Sequence, residues 1–224
     1  MKSKQTMRIE EIDIPLFIKE KYNHFPTLTP IQNKAVEGGL LKEKSQLICA
    51  PTASGKTLVA TMAISKALEK NRKALYIVPL KALANEKFKE YVSVLEGTSY
   101  KVTKAVGDID SPSHYLGQYN IIVLTTEKLD SLLRHKVQWL HEVSCVVIDE
   151  IHLLNDPSRG PTLEIILTLL KSLINPQIVG LSATIGNPQE LADWLEADLI
   201  KDDWRPVELK QGILLGKKVE FYSK

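Results

Sequence analysis

The chain has 224 residues, 44% hydrophobic and 25% charged, with a formal net charge of +2. That is the balance of a globular protein able to bury a sizeable core without disulfides or metal. It excludes little else, because lysines can gather on one face of a domain that stays near neutral overall.

In chain order, the hydrophobic pattern predicts a helix over 30–41, a strand over 46–50, a helix over 56–70, a strand over 74–78 and a helix over 83–95. Strands over 102–105 and 121–124 follow, then a helix over 127–134 and a strand over 143–149. A helix over 162–173, a strand over 178–181 and a helix over 188–195 complete the alternation. Several strands are unbroken Val/Ile/Leu runs, as in strands covered on both faces. The expectation is therefore an α/β fold: a parallel β-sheet with right-handed crossovers and helices on both faces.

After Trp204-Arg205-Pro206 the pattern changes. Val207-Glu208-Leu209-Lys210, Gly212, Gly216 and Val219-Glu220-Phe221 read as short extended runs with glycine punctuation, a weakly packed hairpin. One domain over 1–203 and a tail over 204–224 are expected. Cys49 and Cys145 sit inside apolar runs and read as buried strand thiols. No apolar stretch approaches the ~20 residues of a membrane span, and positions 1–5 lack a signal peptide's apolar region. An intracellular, cytoplasmic setting without membrane is expected.

The strongest local signal is Ala50-Pro51-Thr52-Ala53-Ser54-Gly55-Lys56-Thr57, between a strand and a helix. It follows the phosphate-loop pattern with Ala50 in place of the first glycine. Gly55 permits close backbone approach, so that the N–H groups of the loop that Pro51 opens and Thr52, Ala53, Ser54 and Gly55 continue can wrap phosphates; Lys56 adds a charge against the β- and γ-phosphates, and Thr57 offers a hydroxyl to Mg²⁺. The second signal is Asp149-Glu150-Ile151-His152, running straight out of an apolar strand. A carboxylate at the carboxyl edge of a parallel strand lies where such sheets bind ligands. Asp149 can hold Mg²⁺, and Glu150 can orient and deprotonate an attacking water. His152 taken alone reads as structural.

These segments resemble the superfamily-two helicases of the DExH-box class. Leu28-Thr29-Pro30-Ile31-Gln32 resembles the Q motif, with Gln32 reading adenine. Pro79-Leu80-Lys81-Ala82-Leu83 resembles motif Ia, Thr125-Thr126-Glu127-Lys128 motif Ib, Asp149-Glu150-Ile151-His152 motif II and Ser182-Ala183-Thr184 motif III. Arg159-Gly160-Pro161-Thr162-Leu163-Glu164 and Ile185-Gly186-Asn187-Pro188 resemble the superkiller-like branch. Gln118-Tyr119-Asn120-Ile121, Asp130-Ser131-Leu132-Leu133-Arg134-His135 and Asp203-Trp204-Arg205-Pro206 are most similar to archaeal Hjm/HelQ-type DNA repair helicases.

The resemblance implies a RecA-like P-loop NTPase domain, the first of two motor domains, that uses ATP and Mg²⁺. It implies 3′-to-5′ movement on single-stranded or branched DNA, with RNA as the alternative substrate. The family's second motor domain, which carries the arginine finger, has no counterpart here, so a monomeric piece of a longer enzyme is expected.

Ser182, Thr184 and His152 are expected to couple the ATP site to the domain interface, the first two through hydrogen bonds with motif II. Pro79, Lys81, Thr126 and Lys128 lie at strand-to-helix transitions, where free amides suit phosphates. The alternative for Lys81 and Lys128 is a solvated surface charge, and Lys87, Lys89, Arg134 and Lys136 read mainly that way. Trp194 falls on an apolar helical period with Leu191 and Leu195 and is expected in the core; either Phe17 or Phe25 is expected against adenine. Two other classes compete: a nucleotide-responsive binding module without turnover, and a small-molecule P-loop kinase, against which motifs Ia, Ib and III argue.

Overall fold

The six runs read as strands all enter one sheet. The computed structural model describes residues 6–107, 113–155, 160–208, 210, 212–216 and 218–222; Arg159 and Leu209, both read above, lie outside them. The strands are β1 (Gln46–Cys49), β2 (Lys73–Val78), β3 (Val102–Ala105), β4 (Ile121–Thr125), β5 (Val143–Ile148), β6 (Gln177–Ser182) and β7 (Asp198–Lys201). They lie in the order β3-β4-β2-β5-β6-β1-β7, and every pairing is parallel.

The helices are α1 (Leu16–Lys21), α2 (Pro30–Glu37), α3 (Lys56–Glu69), α4 (Lys81–Val94), α5 (Thr126–Arg134), α6 (Gly160–Ile174) and α7 (Pro188–Leu195). Because side chains alternate across a strand, each apolar run feeds two cores. Ala74, Tyr76 and Val78 join Ile48, Ile121, Val123 and Val147 beneath α1 to α4. Leu75 and Ile77 join Leu47, Ile122, Leu124, Val146 and Ile148 beneath α5 to α7. Both faces of the central strands are covered, which is why β1, β2, β4, β5 and β6 are apolar through most of their length, while the edge strands β3 and β7 carry exposed polar residues. Cys49 and Cys145 are free and buried, and burial pushes the Cys145 thiol up to about 12.

The helix expected over 30–41 stops at Glu37. Gly38 caps it, Gly39 adopts φ 95°, and a 3-10 turn follows over Leu40–Lys42. A left-handed residue ends an α-helix, and glycine takes that conformation without strain. Two elements had no forecast. The six-residue α1 is too short to show a period. The edge strand β7 reads Asp-Leu-Ile-Lys and is half-buried at best; its parallel pairing with β1 makes it a strand. Beyond it, β8 (Gly212–Leu215) and β9 (Lys218–Phe221) form an antiparallel hairpin outside the main sheet, with Ile213, Leu214 and Leu215 exposed.

One buried amide ties the loop before β1 to the start of β6. Gln177 Nε2 donates to the carbonyls of Leu40, at 2.9 Å, and Lys44, at 3.0 Å. Gln177→Ala removes both bonds, and among the described residues the Leu40 carbonyl keeps only the Glu43 N–H, at 3.1 Å. We expect a loss of ~1–3 kcal/mol, read as a lower urea midpoint at unchanged slope.

Candidate ATP site at the carboxyl edge of the sheet

The loop after β1 is curled by two left-handed residues, Ala53 at φ 65° and Gly55 at φ 95°. It is also clamped from α2. Thr29 Oγ1 donates to the Ser54 carbonyl at 2.8 Å, and Gln32 Nε2 donates to the Gly55 carbonyl at 3.0 Å. In a trans peptide the next N–H points opposite the carbonyl. Turning these two carbonyls toward α2 therefore turns the amides of Gly55 and Lys56 away from it. Gln32 Oε1 meanwhile accepts the Thr29 N–H at 2.8 Å. Gln32 is thus buried between the start of α2 and the loop, with each end of its amide engaged. A Cβ on Gly55 would come within 2.3 Å of Gln32 Nε2, so a side chain at position 55 would push the Gln32 amide off the loop, and the φ of 95° itself favours glycine.

Lys56 opens α3, and its ammonium donates to the carbonyls of Ala50, at 2.6 Å, and Pro51, at 2.9 Å. Burial lowers its pKa, while the carboxylates of Glu150 and Asp149 pull it back up; Arg205 adds an opposing push downward. Residues nearly a hundred positions apart in sequence therefore share one field. The sheet order explains it, since β5 leads directly into Asp149 and Glu150 and only β6 stands between β5 and β1.

Asp149 is held at both oxygens. Oδ2 accepts the Tyr76 hydroxyl at 3.0 Å, and Oδ1 accepts the Glu150 N–H at 3.0 Å. Glu150 takes φ 52°, a strained value for a residue with a side chain, of the kind found at functional turns. Its Oε2 lies 3.3 Å from His152 Nδ1. The donor set fits Mg²⁺: a threonine hydroxyl and a carboxylate are hard oxygens, and that ion is commonly held by one or two protein groups together with phosphates and water.

Other expected site residues fall differently. Ser182 is buried, but its Oγ has no hydrogen-bond partner among the described residues, and Thr184 is exposed. The expected side-chain bonds from them to 149–152 are not found there. Ser182 instead faces β1: it pairs with Cys49 across the ladder, and its carbonyl accepts the Ala50 N–H at 3.2 Å. Pro79 and Thr126 line a narrow cleft with Asp149 and Glu150, which joins motifs Ia and Ib to the acidic strand end. Lys81 is exposed at the first turn of α4.

Lys128 is only 5% exposed, so it is not a solvated charge. Nor is Lys87, at 8%: its ammonium contacts Thr57 Oγ1 at 3.3 Å and Glu90 at 3.0 Å. A lysine on a helix reads as solvent-facing until the packing of that helix is known, and here α4 turns Lys87 inward against α3. Trp194 was expected in the core but is 36% exposed. It lines a groove of about 420 Å³ with His152, Glu164, Ile185 and Leu191. Trp139 is buried, Phe17 packs on Tyr100, and Phe25 stands exposed beside His24. Sequence reasoning assigned no site role to Tyr76, Lys87 or Thr29. The one available signal was a lone polar hydroxyl in the apolar run Ala74-Leu75-Tyr76-Ile77-Val78.

The sequence profile of the DEAD/DEAH box helicases matches residues 29–191, from the start of the Q-motif segment into α7. The protein named ATP-dependent DNA helicase Hel308 of Methanocaldococcus jannaschii is 55% identical over 203 residues, covering 88% of this chain and 17% of its own. Its namesake in Pyrococcus horikoshii is 52% identical over 210 residues, covering 92% and 29%. The chain thus spans less than a third of the length of these curated relatives. Among solved structures, the helicase MrfA bound to DNA and AMPPNP matches with a TM-score of 0.76 and 26% identity, over 89% of this chain and 30% of that one. A phosphate loop clamped by the Q-motif helix, facing an Asp-Glu strand end across a parallel sheet, stands inside the matched region, and the chain belongs to the DEAD/DEAH box helicase family.

Proposed function

We propose that this chain is the ATP-binding motor domain of an ATP-dependent DNA helicase, acting in repair or replication restart inside the cell. The observation that carries the reading is the curled loop, clamped by Thr29 and Gln32, at the same sheet edge as Asp149 and Glu150. The amides of Gly55 and Lys56 would receive the terminal phosphates, and Lys56 would exchange its two carbonyl partners for phosphate oxygens. Thr57 and Asp149 would hold Mg²⁺, which supplies charge neutralisation at the transferring phosphoryl group. Glu150, beside His152, would orient the attacking water. Gln32 would combine the reading of adenine with its hold on the loop, using the N–H and lone pair that the observed bonds leave over.

For the strand we favour the carboxyl edge near Pro79, Lys81 and Thr126, where backbone groups can grip phosphates without reading bases. Lys128 is buried with a partner of its own, so the grip at that transition would rest on Thr126 and the start of α5. DNA is preferred over RNA because the relatives at about half identity are named DNA helicases.

Three outcomes test this. Lys56→Ala removes the cation facing the phosphates and should cost ~2–3 kcal/mol of nucleotide binding by titration calorimetry. A folded variant that still bound ATP normally would end the assignment. Lys81→Ala should weaken single-strand binding similarly across sequences and flatten its salt dependence by about one phosphate contact. An unchanged slope would return Lys81 to the solvated surface.

The third outcome concerns turnover. An arginine finger is typically worth ~10³–10⁵ in rate, and we infer that a second motor domain supplies it. Arg205 is exposed, and its charge is felt at Lys56, yet it lies in a segment unlike the family's finger. The isolated 224-residue chain should therefore hydrolyse ATP slowly and unwind no duplex. Vigorous strand-stimulated turnover by the monomer would show that the finger lies within these residues.

A further inference from the structure

We propose that Tyr76, in the middle of β2, is a positioning residue for the Mg²⁺ site that fixes the Asp149 carboxylate in its metal-binding orientation; this rests on the ATP-site reading above. Tyr76 is fully buried, and its neighbours on the same face of β2 are Ala74 and Val78. Packing there requires only an apolar side chain. A buried hydroxyl costs stability unless it is hydrogen-bonded, so a tyrosine at this point marks a polar requirement. Its partner is Asp149 Oδ2, at 3.0 Å. With Oδ1 already taking the Glu150 N–H at 3.0 Å, the bond from Tyr76 completes the fixing of the carboxylate. A side chain locked in this way loses no rotamer freedom when a metal arrives.

The tyrosine ring is itself held. Tyr91 packs against it with centroids 5.6 Å apart and planes at 59°, and the Lys87 ammonium lies 5.9 Å from its centroid. Lys87 in turn reaches the Thr57 hydroxyl at 3.3 Å. The β2–α4 layer therefore touches both protein oxygens assigned to the metal, Asp149 through Tyr76 and Thr57 through Lys87. Asp149 leaves the sheet at the end of β5, beside β2, and its N–H bonds to the Ile77 carbonyl at 2.9 Å. The backbone places the carboxylate near the metal, and Tyr76 sets its rotation. Groups in this relation to a ligand typically change metal affinity ~10–100-fold when removed.

Tyr76→Phe keeps the ring and deletes only the hydroxyl. The test is binding of a fluorescent methylanthraniloyl-ADP to the 224-residue chain, in EDTA and across a MgCl₂ series, with Mn²⁺ followed by electron paramagnetic resonance. We expect Tyr76→Phe to bind nucleotide in EDTA as the wild type does. Its half-saturating Mg²⁺ and Mn²⁺ concentrations should rise about tenfold. Tyr91→Phe removes another buried hydroxyl, one facing Thr61 at 3.4 Å, and should leave the metal dependence unchanged. On an Asp149→Asn background, Tyr76→Phe should add little, because the pair acts as a unit.

An unchanged metal requirement in Tyr76→Phe, an equal loss in Tyr91→Phe, or full additivity with Asp149→Asn would overturn the proposal. Should Tyr76→Phe not fold, the ζ-carbon signals of the seven tyrosines in the labelled parent chain decide. One of them should move on Asp149→Asn, and none moving overturns the proposal. A wild-type chain whose nucleotide binding ignores Mg²⁺ would overturn the site reading itself, and this proposal with it.

Discussion

The pairing of β1 with β6 is the constraint on which the remaining architecture depends. Gln46 stands opposite Val179 and Cys49 opposite Ser182, and β5 lies on the far side of β6. The ladder brings the phosphate loop, the motif II carboxylates and the motif III turn to one edge, although more than a hundred residues separate the first from the last. Side-chain direction alternates along a strand. A one-residue slip of β1 would therefore send Leu47 and Cys49 into the wrong core and shift Lys56 relative to Asp149 by roughly 3.3 Å. Two dry cores, one on each face, make that slip costly in many places at once.

Upon this frame, the local chemistry is governed by where backbone carbonyls are sent. The phosphate loop needs its amides free, and peptide geometry links each amide to the carbonyl before it. Thr29 and Gln32 draw the carbonyls of Ser54 and Gly55 toward α2, and Lys56 draws those of Ala50 and Pro51. Lys56 is also partly stripped of water, which lowers its pKa, and the carboxylates of Glu150 and Asp149 are the largest influences opposing that shift. An ammonium in this position gains from any anion that enters. Desolvation that weakens the lysine alone thus strengthens its attraction to a phosphate.

A second layer of order comes from α4. Its first turn presents Lys81 to solvent, while Lys87 further along reaches back to Thr57. The same helix is therefore tied both to the edge where a strand is proposed to lie and to a proposed metal ligand. Contiguous rigid elements of this kind can carry energy between two sites when both sites bias them. Pro79, Thr126, Asp149 and Glu150 line one cleft, so the edge where a strand is proposed to lie also adjoins the acidic strand end.

Much of this was legible in the sequence for a definite reason. Strands buried on both faces leave near-continuous apolar runs, so β1, β2, β4, β5 and β6 and the parallel layered fold could be read from pattern alone. The segments proposed as the phosphate loop and the acidic strand end stand out in the sequence because the chemistry proposed for them uses consecutive residues. What the sequence could not reveal depends on which elements become neighbours. Strand order placed Asp149 near Lys56, and β7 exists as a strand because β1 offers it an edge. The inward turn of Lys87, the burial of Lys128 and the exposure of Trp194 each follow from how a helix is rotated against its neighbours, a quantity that its own period constrains only loosely. Tyr76 shows the same limit most plainly: within its strand it is one more large residue, and only the adjacent β5 supplies the carboxylate that gives its hydroxyl a partner.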